Sequence, residues 1–187
     1  MIGELPTSLK IGGKNYPINS DFRVMLNIYA AFGDPELTNA EKCYICMKRL
    51  YIDFESIPKE HMQEAADKAY WFAEGGRKTP TSSVSRAKIL DWEQDEGIIF
   101  PAINKAAGCE TRALPYLHWW SFLGYFGEIG EGLFSQVVHI RSKKARGKKL
   151  EKWESEFFRE NKELIEIKTK YTKEEQEERD RLNALLG

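Results

Sequence analysis

The sequence predicts a mostly helical fold opened by a small N-terminal β-hairpin, and three observations carry that expectation. Apolar residues recur at helical spacing through most of the chain. Helix start and stop residues bracket those segments. The pattern of two short apolar runs about a glycine turn lies near the beginning, between Leu9 and Ile18. With 187 residues, 42% of them hydrophobic and 30% charged, the chain is long and apolar enough to bury a core while keeping charged helix surfaces. No run approaches the roughly 18 consecutive apolar residues of a membrane span, and residues 1–10 lack the order of a signal peptide, so an intracellular protein is expected.

Taken in order, Leu9-Lys10-Ile11 and Tyr16-Pro17-Ile18 flank Gly12-Gly13 and read as two strands about a tight turn. Residues 22–32 place Phe22, Met25, Leu26, Tyr29 and Phe32 on one helical face, with Ser20 or Asp21 as cap and Gly33 as stop. Thr38 and Glu41 have capping-box spacing for a second helix running to about Leu50. Pro58 suits the first turn of a third helix, which Gly75-Gly76 ends. Residues 76–88 hold almost no apolar side chain and read as an exposed linker. That linker divides the chain into a region at 1–75, with the hairpin and three helices, and an aromatic-rich region with a charged extension at 89–187. Two helical subdomains joined by a polar linker are compatible with this division.

Beyond the linker, residues 91–107 read as a helix closed by Gly108 and kinked or split at Pro101, which removes a backbone donor. Pro115 starts a helix with Tyr116, Trp119, Trp120, Leu123 and Phe126 on one stripe and Leu117, Phe122 and Tyr125 on the other, so it is expected at the centre of the core. Gly127, Gly130 and Gly132 loosen the chain before a short helix at 133–140. Residues 150–170 read as one long charged helix with Trp153, Phe157 and Leu164 on its apolar face, and Thr172 with Glu175 caps a polar helix at 173–186.

The 28 basic and 29 acidic residues give a net charge of −1, which excludes a globally basic nucleic-acid binder. The cations nevertheless cluster: residues 141–149 contain Arg141, Lys143, Lys144, Arg146, Lys148 and Lys149 and no anion. Such a run reads first as a solvated connector, next as a contact for an acidic protein segment, and least as a nucleic-acid site. Cys43-Tyr44-Ile45-Cys46 invites a zinc or redox reading, but Cys43, Cys46, Met47 and Leu50 share a helical stripe and no second ligand pair follows, so packing is expected. The three cysteines are expected as reduced thiols. His61, His118 and His139 sit in no catalytic pattern, His118 reading as a hydrogen-bonded core residue, while Asp91 and Asp95 read as a solvated helix N-terminus. With no phosphate-binding glycine loop and no nucleophile elbow, the chain is expected to be no enzyme, with no catalytic residue, cofactor or metal.

Several elements together resemble a known family. Asp91-Trp92-Glu93-Gln94-Asp95, Ile98-Ile99-Phe100, Tyr116-Leu117-His118-Trp119-Trp120-Ser121-Phe122 and Ile140-Arg141-Ser142, with Leu5-Pro6-Thr7-Ser8, Tyr16-Pro17-Ile18-Asn19 and Asp21-Phe22-Arg23 before them, are similar to the bacteriophage gene-product-fifteen family over most of residues 5–170. The chain departs from the family pattern at Pro101 and in the glycine-rich stretch 127–132. The resemblance implies a small helical protein of tailed phages and prophages, encoded beside the tape-measure gene, that acts in the host cytoplasm as a tail assembly chaperone. Its implied partners are the tape-measure protein and the tail-tube protein. Self-association is compatible with that role, and nucleic acid and membrane are not expected partners. The surfaces expected to meet a partner are the Trp153, Phe157 and Leu164 face and the cations of residues 141–149. Surface aromatic and methionine side chains suit such work, since they hold an amphipathic client by apolar contact. A structural tail component kept in the virion, or a nucleic-acid-binding accessory using residues 141–149, are the alternatives.

Overall fold

The computed structural model describes residues 3–77 and 88–186, so the expected linker falls mostly on residues 78–87, outside the described residues. Strands β1 (Ser8–Ile11) and β2 (Lys14–Pro17) pair antiparallel, with Ile11 opposite Lys14. Gly12 and Gly13 both take positive φ, as a two-residue turn with the strands' own twist requires. At Gly12 a side chain would also run into the His61 ring, and its amide donates to Glu64, so the hairpin is seated on the third helix.

Nine α-helices follow among the described residues, and the protein is mostly α. They are α1 (Phe22–Phe32), α2 (Asn39–Leu50), α3 (Met62–Ala73), α4 (Glu96–Ala107), α5 (Trp119–Gly127), α6 (Leu133–Ala145), α7 (Lys152–Glu160), α8 (Lys162–Ile165) and α9 (Lys173–Leu186). Asp21 caps α1 by accepting from the Arg23 amide, and Thr38 with Glu41 forms the expected capping box on α2. Gly75 and Gly76, both at positive φ, close α3.

Of the kink or split expected at Pro101, the split does not occur: Pro101 lies inside an unbroken α4. The carbonyl it leaves without an amide partner is that of Gly97, which is exposed and so can bond to water. Four boundaries also differ. The α4 helix starts at Glu96 rather than at 91, because the Asp91 carboxylate accepts the Glu93 and Gln94 amides and bends residues 92–95 into turns. The α5 helix starts at Trp119 because residues just before it are drawn into extended pairing: the Phe22 amide donates to the Leu117 carbonyl and the Trp119 amide to the Ser20 carbonyl. Tyr116 is therefore exposed rather than part of a buried stripe. The long helix expected over 150–170 breaks at Asn161, and α6 continues past 140 to Ala145, where Gly147 at positive φ ends it.

The main core draws on both sides of residues 78–87. Phe22 of α1 stacks on Phe122 of α5 with ring centroids 4.6 Å apart. Trp119, fully buried, lies beside Phe122, and Trp92 leans on Trp119, Phe122 and Phe126. The indoles of Trp119 and Trp120 donate to the Ala73 and Phe72 carbonyls at the end of α3, where helix carbonyls have acceptor capacity to spare. The glycine closing α3 is needed for this as well: a side chain at Gly76 would collide with the Trp120 ring at 2.7 Å. His118 behaves as the expected core histidine, its Nδ1 accepting the Trp120 amide as helix cap and its Nε2 donating to the Pro6 carbonyl. A smaller cluster of Val137, Ile140 and Ile165 joins α6 to α8.

Candidate functional site

The basic run divides into two groups. Its first part is helical, which sends its side chains to different neighbours. Arg141 is buried and makes a two-pronged ion pair with Asp95, at 2.6 and 2.8 Å. It donates further to the carbonyls of Ile165, Leu164 and Ile89, so all five guanidinium N–H groups have acceptors. Arg141 is thus a clamp holding α4, α6 and α8 together, and it presents no charge to a partner. Asp91 and Asp95 are correspondingly not a solvated helix start: both are buried, and the Asp95 carboxylate also accepts the Asp91 amide.

Lys143 reaches the buried carboxylate of Glu154 at 2.6 Å, and His139 bonds to the same group. The Lys143 hydrogen bond, helped by the Glu151 amide and His139, holds the Glu154 carboxyl at about 2, far below the usual carboxylate range. Lys144 lies over the Phe158 ring at 3.6 Å and near Glu166. Only Arg146, Lys148 and Lys149 of the six are exposed and outside any ion pair among the described residues.

The apolar face expected at 150–170 is divided as well. Trp153 is 49% exposed, its indole donating to Glu151. Phe157 and Leu164 are half-buried against Val137, Ile140 and Ile165. The break at Asn161 and the turning of the Leu164 and Ile165 carbonyls to Arg141 prevent the three from forming one exposed stripe.

A different apolar surface is formed by α1, α2 and α3. The end of α1 and the facing sides of α2 and α3 leave an open groove of about 420 Å³, lined by Phe32, Cys43, Cys46, Met47, Ala66, Ala69, Tyr70 and Ala73, with Lys42 and Asn39 at the rim. Phe32 and Tyr70 are 41% and 58% exposed. The groove exists because α3 presents alanines at 66, 69 and 73 toward α2, and alanine is too short to close the space between two helices. Met47 and Cys46 form a soft, polarizable floor. Burial pushes the Cys46 thiol up to about 11, so it stays protonated, while Cys43 is exposed at the groove edge rather than packed with Cys46 as the stripe implies. Among the described residues no three His, Cys, Asp or Glu side chains gather as a metal site needs. The sequence assigned Phe32 to the core and passed over Tyr70. The alanine spacing on α3 is the signal that could have revealed the groove.

The residues that carry the family resemblance meet in one place. Asp21 accepts the Leu117 amide, Phe22 stacks on Phe122, Trp92 packs on Trp119, and Asp95 takes Arg141. A family model described as Bacteriophage Gp15 protein matches residues 1–172. The chain belongs to that bacteriophage Gp15 family. No curated protein and no solved structure matches the chain. The residues on which the resemblance to the Gp15 family rests join α1, α4, α5 and α6 and so hold the fold together.

Proposed function

We propose that this Gp15 protein is a non-enzymatic phage tail assembly factor that works in the bacterial host cytoplasm as a chaperone, holding the tape-measure protein and assisting tail-tube assembly. The observation that carries the reading is the open apolar groove between α2 and α3 with Phe32 and Tyr70 exposed at its edge. An amphipathic helix lays its apolar face into such a groove, small residues let its backbone come close, and methionine adapts to varied side chains. A long helical client repeats apolar residues at that spacing, so one groove can serve many positions along it. Among the described residues no helix is long and apolar enough to cross a membrane.

The test is co-expression of the tape-measure protein with wild type and with a Phe32→Ser, Tyr70→Ser double variant, both positions being exposed enough to leave the core intact. Wild type should yield soluble complex at low and at high salt, because apolar contact survives screening while the Debye length falls from about 10 Å at 0.1 M to about 3 Å at 1 M. The variant should not. Equal recovery of tape-measure protein with wild type, with the variant and with no chaperone refutes the reading. Mass spectrometry of finished virions separates a chaperone, absent from particles, from a retained tail component.

A further inference from the structure

Helix α9 and the loop after α6 are complementary surfaces that the fold itself leaves unmatched. Every described side chain of α9 from Lys173 to Ala184 is exposed. The helix is tied to the rest of the chain at its start, where the Lys173 amide meets the Glu36 carboxylate and the Thr172 and Glu175 side chains form a capping box. A helix of 14 residues whose side chains from Lys173 to Ala184 are all exposed is marginal in water, since most helical stability comes from tertiary packing of one face. Glu174, Glu178 and Leu182 recur every four residues and so share one face, two anions followed by a half-exposed leucine. Neither Glu174 nor Glu178 has an ion-pair partner among the described residues.

The stretch from Arg146 to Lys149 carries the opposite charge, and the one anion between it and Trp153, Glu151, is taken up by Lys143 and the Trp153 indole. Arg146, Lys148 and Lys149 are exposed and unpaired among the described residues, and Trp153 follows them, half-exposed. We infer that α9 of one copy docks on residues 146–153 of a second copy, its glutamates against the three cations and Leu182 against the Trp153 ring. Both surfaces are on every chain, so a two-fold pair makes the contact twice and closes on itself. Charge complementarity selects this occupant, because an acidic row meets the three cations of the run that the fold has not used internally. The contact is distinct from the client groove between α2 and α3, so either can fail without the other.

The experiment uses the full chain with charges reversed on one side at a time: Glu174→Lys with Glu178→Lys in one variant, and Arg146→Glu, Lys148→Glu and Lys149→Glu in the other. All five positions are exposed, and circular dichroism matching wild type shows that the fold is kept. Light scattering should give a dimer for wild type at low salt that dissociates at high salt, monomers for each variant alone, and a restored dimer when the two variants are mixed, since each reversed surface then meets its new complement. Wild type that is monomeric at every salt and concentration overturns the inference. So does a dimer that persists in either variant alone, or a mixture that stays monomeric. Association that appears only when client is added assigns the two surfaces to another protein and equally overturns it.

Discussion

The aromatic junction of α1, α4 and α5 and the charged stretch running from α6 to α9 make opposite uses of the residue types that attract attention in a sequence. In the junction the conspicuous residues do what their chemistry suggests: Phe22, Trp119 and Phe122 bury their rings, Trp92 packs against them, and the Trp119 indole donates to the Ala73 carbonyl. In the charged stretch the conspicuous residues are largely used up internally. Six cations in nine residues look like a binding patch, yet Arg141 is sealed onto Asp95, Lys143 onto Glu154, and Lys144 over Phe158. A charge run inside a helix is distributed around its axis, so part of it faces the protein wherever a carboxylate is buried opposite. The two proposed partner surfaces draw on what remains, a groove of alanines and three leftover cations.

The sharpest way to break this comparison is to truncate one tryptophan from each region. Trp119→Ala removes a fully buried ring and a hydrogen bond to the Ala73 carbonyl, and should destabilise the protein by about 3–5 kcal/mol, much of what a domain has. Trp153→Ala removes a half-exposed ring and should stay within about 0.5 kcal/mol. Urea unfolding of both measures the difference, and a small effect at Trp119 would place its helix at the surface.

A conservative exchange sharpens the contrast within the basic run itself. Arg141→Lys keeps the charge but loses the planar fork that grips both Asp95 oxygens and three carbonyls, and should cost at least about 2 kcal/mol, since charge-assisted hydrogen bonds are worth about 1.5–3 kcal/mol each. Arg146→Lys, exposed and unpaired among the described residues, should leave the unfolding midpoint unchanged. Comparable losses at the two positions would mean that the run acts as one surface after all.

Much of the fold was legible because its signals are local. The Thr38 and Glu41 capping box, the Gly12-Gly13 turn and the glycine stops at 33, 76 and 108 all depend on neighbours a few residues away, and each appears where the sequence places it. What the sequence did not disclose depends on contacts between distant residues. The partner of Arg141 is 46 residues before it, and the late start of α5 follows from pairing with residues 20–22. The groove was missed for the same reason: Phe32 fits a core stripe on α1 alone, and only the placement of α3 shows that alanines face it. The family resemblance, in turn, lay on residues of the core, which is why it located the fold better than it located a site.

Titration separates the buried pairs from the free cations by a smaller effect. The Glu154 carboxyl is held at about 2 in the folded protein, against about 4.3 for an ordinary glutamate in the unfolded chain. A folded value below the unfolded one means that the pairing with Lys143 stabilises fully above about pH 4.3 and loses that contribution as pH falls toward about 2. Wild type should therefore lose melting temperature over that interval more steeply than Glu154→Gln, which has no proton to take up. Parallel melting curves for the two would show that Glu154 is solvated.

The smallest effect leaves stability untouched and reports on the groove directly. Cys43 is exposed at its edge and Cys46 is buried in its floor, with a thiol pushed up to about 11. Only the thiolate reacts, so at neutral pH a maleimide should label Cys43 and Cys109 promptly and Cys46 slowly or not at all. Peptide mass spectrometry assigns each site. If Cys43 and Cys46 were instead a metal-binding or redox pair, they would resist or lose reagent together and regain reactivity together on chelation or reduction. The same assay follows occupancy: a helix lying in the groove shields Cys43 while Cys109, outside it, keeps its rate. Bound tape-measure protein should slow labelling at Cys43 alone, and slowing at both positions equally would place the client elsewhere on the surface.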